Sequence, residues 1–206
     1  MFALVDKSDN SITRMLNGNK GITIGDNQYP KAIFTLWTEA ERNAINIYAV
    51  TIDTSKKKDE KWYINTDITY SFDGTNATGS YGDATAKAHA DTLFTAQDET
   101  DGLGTEGEVA TRGLKYNLIQ TVKLQAEGEL NRTDWYITRK AEKNTAIPSA
   151  ITTHRDAVRS KQAAMETAIT NASDTPALET LYTYVNTADE GDPKVIERPL
   201  GELPTL

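Results

Sequence analysis

The sequence predicts an α+β fold, an antiparallel β-rich N-terminal half followed by an α-helical hairpin or bundle and an extended tail. Two periodicities and a break between them predict it. Trp62, Ile64, Thr66, Ile68, Tyr70 and Phe72 occupy every second position, the period of a strand with one buried face. Leu114, Leu118, Val122, Ala126 and Leu130 recur every fourth residue, and Ile151, Val158, Met165 and Ala172 every seventh, the spacing of helices packed along one seam. Between the two regimes, Asp98 to Glu108 holds five carboxylates, three glycines and no basic residue, which reads as a linker. The predicted partition is a β-rich domain with short helices over 1–97, a linker over 98–110, a helical domain over 111–186 and a proline-containing tail over 187–206.

The β-rich half begins with the apolar run Phe2-Ala3-Leu4-Val5. Asp9-Asn10-Ser11 is turn chemistry, since short polar side chains bond their own backbone, and Ile12 to Leu16 is predicted to pair back. Thr38 followed by Glu41 has capping-box spacing and predicts a short helix over 38–43. Ile45 to Ile52 is rich in β-branched residues and reads as a strand. The alternating strand over 62–72 ends at Asp73-Gly74, a hairpin signal, with a return strand over 77–81. A helix is predicted over 83–97, with Ala86, Ala90, Leu93 and Phe94 on one face.

In the helical half, Gly128 weakens the first long helix by about 1 kcal/mol relative to alanine and marks a place for a kink. Thr133 can cap a restart before Trp135. Pro148 suits the first position of the next helix, which runs about 25 residues on its heptad spacing. That seam closes either within one chain or between copies. Thr175 with Pro176 then opens a short helix carrying Leu178, Leu181, Tyr182 and Val185 at helical spacing. The tail beyond, with Pro193, Pro199 and Pro204, has the composition of segments that stay unordered unless something holds them.

Composition narrows the function classes. The chain has 206 residues, 22 Lys and Arg against 30 Asp and Glu, a net charge of −8 and no cysteine. That excludes disulfides, thiolate metal sites and a cysteine nucleophile, and its acidity argues against nucleic acid as a partner. Mean hydropathy is −0.55 and no apolar run approaches the length of a membrane span. The first residues show neither a basic segment nor a long apolar one, so no secretory leader is expected. His89 and His154 lack metal-ligand spacing, and His154 reads as a seam or surface residue. No nucleophile elbow, phosphate loop or calcium loop is present. The expectation is a non-enzymatic protein without cofactor, metal or small-molecule substrate.

Thr133-Asp134-Trp135-Tyr136-Ile137-Thr138-Arg139-Lys140-Ala141-Glu142, then Ile147-Pro148, then Arg155 and Arg159, resembles a helical segment of tail-fibre-associated and tail-assembly proteins of tailed bacteriophages. The pattern is T-D-W-x3-R-x2-E, then I-P, then R-x3-R. Phe2 to Val5, Gln28 to Phe34 and Trp37 to Arg42 are similar to the start of small virion proteins of marine phages. The resemblance spans about half the chain and implies a virion structural protein at the tail (baseplate, adaptor or fibre attachment), assembled in the host cytoplasm. It implies docking on other phage structural proteins and on further copies of the same chain. A tail-fibre assembly chaperone and a capsid decoration protein are the alternatives. The residues expected to carry docking are Trp135, Arg139, Ile151, Arg155, Val158, Arg159 and Met165. Trp135 would pack the helical hairpin, Arg139 would pair with Glu142 or a partner carboxylate, and Arg155 with Arg159 would clamp an acidic neighbour from one helix face.

Overall fold

In a computed structural model, which describes Met1 to Leu206, the first strand sets the N-terminal unit by burying both of its faces. Strand β1 (Phe2–Asp6) turns at Asn10, whose φ is +59°, into antiparallel β2 (Ser11–Leu16). Ala3 and Val5 point into one core with Tyr48, Phe72 and Ala77. Phe2 and Leu4 point the other way, against Ile22, Ile33, Phe34 and Ile47. That second core is covered by the hairpin β3 (Ile22–Ile24) and β4 (Asn27–Tyr29) and by α1 (Ile33–Leu36). Helix α2 (Glu39–Ala44) starts as predicted. Thr38 Oγ1 accepts the Glu41 N–H, and the Glu41 carboxylate accepts the Thr38 N–H at 2.7 Å.

Strand β5 (Ile47–Asp53) pairs with β1, and after β6 (Tyr63–Ile64) the hairpin β7 (Thr69–Phe72) and β8 (Ala77–Ser80) completes a five-stranded sheet of order β2-β1-β5-β8-β7. Its pairings are antiparallel except β5 with β8, which run parallel. The single strand predicted over 62–72 is broken. The Asn65 side chain bonds the Lys58 backbone: its amide donates to the Lys58 carbonyl at 2.8 Å and its oxygen accepts the Lys58 N–H at 2.9 Å. Thr66 Oγ1 accepts the Gly82 N–H at 2.7 Å. Across this segment the alternation fails: Trp62, Tyr63 and Phe72 are buried, while Ile64 and Thr66 are exposed.

The chain divides into two compact units at residue 85/86, where β9 (Thr85–Ala86) lies. The helix predicted over 83–97 does not form. That segment is extended through β10 (Thr92–Leu93), and the predicted linker is itself ordered as α3 (Ala96–Thr100) and β11 (Val109–Thr111), antiparallel to β10. A tertiary demand overrides local helix propensity here. Helix α4 (Leu114–Asn131) begins at Gly113, which has no side chain to cap it. Its first N–H groups, which no helical carbonyl can reach, donate instead to the carbonyls of Ala88 and His89, both at 3.0 Å. Asp91 accepts the Gly113 N–H at 2.8 Å and pairs with Arg112 at 2.6 Å. These bonds, the Gly113 N–H first and Arg112 second, hold the Asp91 carboxyl below its ordinary pKa.

Helix α4 continues unbroken past Gly128, then α5 (Asp134–Lys143), α6 (Ser149–Asn171) and α7 (Thr175–Tyr182) follow. Pro148 stands at the N-cap of α6, one place before its expected position. Asp174, not Thr175, caps α7: its carboxylate accepts the Ala177 N–H at 2.8 Å, leaving the Thr175 hydroxyl to donate to the Lys87 carbonyl at 2.6 Å. The tail folds back on its own chain. Strands β12 (Val185–Asn186) and β13 (Ile196–Glu197) pair, Leu200 is buried, and its N–H donates to the Leu181 carbonyl.

A Cβ added at Gly113 would stand 2.2 Å from the Ala90 carbonyl oxygen, a backbone atom that cannot move aside. Gly113→Ala is expected to destabilise the C-terminal unit by about 2 kcal/mol or more, read as a lower denaturation midpoint by helical circular dichroism. Gly128→Ala, with open space around its Cα, is expected to stabilise by up to about 1 kcal/mol.

Candidate functional site

The buried stripe of α6 is Ile151, Arg155, Val158, Met165 and Ile169. It packs on Leu118, Val122 and Ala126 of α4. Lys115 Nζ donates to the Thr170 carbonyl, Lys123 pairs with Glu166, and Arg155 reaches Leu130, so the two helices run antiparallel. The seam of Ile151, Val158 and Met165 therefore closes within one chain, and those three side chains are core, not surface.

Arg155 sits in that apolar stripe with its side chain one-tenth exposed. A buried guanidinium must find acceptors nearby. Its Nη1 finds three: the Leu130 carbonyl at 2.8 Å, Thr133 Oγ1 at 2.7 Å and the Asp134 carboxylate at 2.7 Å. The Leu130 carbonyl lies in the last turn of α4, where it also accepts the Thr133 N–H at 3.0 Å and where the helix dipole favours a cation. Asp134 opens α5, where it favours an anion. Thr133 is the N-cap of α5 but makes no cap bond with its side chain. Its hydroxyl donates to the Leu130 carbonyl at 2.9 Å and accepts from Arg155. One arginine thus joins the end of α4, the start of α5 and the first turns of α6.

Arg155 and Arg159 do not form a common clamp. Arg159 is exposed and pairs with Asp156 of its own helix at 3.3 Å. The arginine on an apolar stripe beside Ile151 and Val158 was itself the signal that Arg155 needed an internal partner, and Asp134 was the carboxylate that sequence reasoning missed.

Helix α5 has no buried residue. Trp135 does not pack the hairpin: it is 51% exposed, and Ile137 is 42% exposed. The Trp135 ring lies 3.8 Å from that of Tyr136, and the Arg139 guanidinium sits 4.7 Å above Trp135 and 5.4 Å from Tyr136. Arg139 is thus engaged with aromatic faces rather than with Glu142. At about 100° per residue, Arg139, Lys143, Tyr136 and Lys140 follow Trp135 around one face, and Ile137 lies on the opposite side of the helix from Trp135. Asp134, Thr138 and Ala141 fall outside that face, and Glu142 borders it beside Trp135. The result is an aromatic and cationic face on a helix pinned at its first turn.

Elsewhere, an open cleft of about 660 Å³ lies in the N-terminal unit, lined by Met1, Arg14, Leu16, Lys20 and Phe34 among others and by no carboxylate. No cluster of three or more His, Asp or Glu side chains is placed to hold a metal. No helix is long and apolar enough to cross a membrane. No protein-family model, curated protein or solved structure matches the chain.

The two arginines separate by experiment. Arg155→Ala is expected to cost about 2–3 kcal/mol of unfolding free energy, below the loss for a wholly buried pair because Asp134 is half-exposed. Arg159→Ala is expected to stay within about 0.5 kcal/mol of the parent. Both are read by chemical denaturation of the helical signal.

Proposed function

We propose that the chain is a non-enzymatic structural protein of a tailed-phage particle, associated with the tail as a baseplate, adaptor or fibre-attachment component, and that it works by protein–protein docking. The observation that carries this reading is how the T-D-W-x3-R segment and the later arginine divide their labour. Thr133, Asp134 and Arg155 are consumed inside the fold, where they fix the joint between α4, α5 and α6. Trp135 and Arg139 are left on a helix that buries nothing of its own. Aromatic residues and arginine are the types that dominate the binding energy of protein interfaces, and here they are held out on a rigid joint. The phage context comes from the sequence resemblance alone, and the anchored, surface-presenting α5 supports the docking role.

Quantitative mass spectrometry of purified particles tests the reading. Copies of the chain at a small multiple of three or six per particle, counted against the major capsid and tail-tube proteins, are the expected result. Copies at the number of capsid subunits would make it a capsid decoration protein. Absence from particles that still require its gene would make it an assembly chaperone.

A further inference from the structure

Residues 86–206 hold thirteen Lys and Arg against nineteen Asp and Glu, and the whole excess of six lies in residues 88–111. That stretch has Asp91, Asp98, Glu99, Asp101, Glu106 and Glu108 and no Lys or Arg. It leaves the fold as the β10–α3–β11 excursion and is anchored firmly at its base by Asp91 on Arg112 and Gly113, and by Ala88 and His89 on α4. Beyond the base it exposes apolar side chains among its carboxylates. Leu93 faces Val109 across the ladder, and both are exposed. Leu103, in the loop after α3, is 65% exposed.

The same unit carries the opposite pattern on α5, where Trp135 stands exposed beside Arg139, Lys140 and Lys143. One surface is apolar and anionic, the other aromatic and cationic. Within one chain neither covers the other, since both remain exposed. We infer that the aromatic-cationic face of α5 receives the acidic β10–α3–β11 excursion of a second copy of this chain. The inference rests on the docking role proposed above and names one occupant for it. Opposite charge fixes the register of such a contact and excludes like surfaces, while the apolar side chains supply contact area. Two different patches meet, either reciprocally in a two-fold dimer or head-to-tail in a ring or filament.

The test is sedimentation of the full chain over a rising concentration series at low and high salt. The parent protein is expected to associate, and less so at high salt. Two folded variants follow: Asp101→Lys with Glu106→Lys and Glu108→Lys, and Arg139→Glu with Lys140→Glu and Lys143→Glu. Each alone is expected to weaken association by about tenfold or more, and an equimolar mixture is expected to restore it, because each reversed surface then meets its complement. Should either triple variant misfold, Leu103→Asp and Trp135→Ala change single exposed side chains and are expected to weaken association in the same way. A parent protein that stays monomeric throughout overturns the inference, as does association that survives the substitutions or a mixture that does not recover. A monomer that is nonetheless counted in particles removes this contact and leaves the docking role standing. Association of a chain absent from particles does the reverse.

Discussion

A guanidinium carried into an apolar stripe needs its charge paired where it stands, and Arg155 imposes that condition on the whole C-terminal unit. On α6 it falls between Ile151 and Val158, so the packing that buries those two carries it inward as well. Its three acceptors come from the last turn of α4, the inter-helix residue Thr133 and the first residue of α5. The α4–α5 turn cannot slide along α6 without leaving the charge unpaired, an outcome far costlier than losing an exposed ion pair. The interaction supplies registry more than stability. It sets where α4 ends, at what point α5 departs, and which residues of the departing helix are left outside.

The opposite end of α4 is fixed by a similar constraint met with different groups. Gly113 brings no capping side chain, and its Cα packs so closely on Ala90 that only glycine fits. The backbone of 88–89 supplies the missing acceptors, Asp91 supplies the ion pair, and Thr175 ties the neighbouring Lys87 carbonyl to α7. Both ends of the long helix are therefore held by residues distant in sequence. The acidic excursion leaves from one of these joints and α5 from the other, so both surfaces rest on backbone fixed by residues distant in sequence.

What could be read from the sequence were features whose cause is local or periodic. The apolar run of β1, the Thr38–Glu41 capping box, the Asp73-Gly74 hairpin and the stripe of α6 all depend on neighbours a few residues away, and all appear in the α+β fold. What could not be read depends on distant partners. Residues 88–91 have helical composition but serve as the cap of α4. The 62–72 strand is interrupted over 65–68, where the side chains of Asn65 and Thr66 bond the distant backbones of Lys58 and Gly82. Thr175 and Asp174 are both good caps, and only the Lys87 carbonyl decides between them. The tail lacks a core of its own, yet Leu200 is buried and Arg198 lies near the rings of Tyr182 and Tyr184. For the site, the pattern drew attention to the right segment but assigned Arg155 outward, because its partner Asp134 is 21 residues away.

The central claim is that the α4–α6 seam closes within one chain around Arg155 and leaves α5 with no buried residue. Backbone amide hydrogen exchange at concentrations low enough for the chain to be monomeric tests this most directly. Slow exchange is expected along Leu118 to Ala126 and Val158 to Ile169, unchanged on further dilution, with α5 beyond its first turn exchanging much faster. Protection of α4 and α6 that disappears on dilution would mean that the seam forms between chains, and the account of Arg155 as an internal clamp would be wrong.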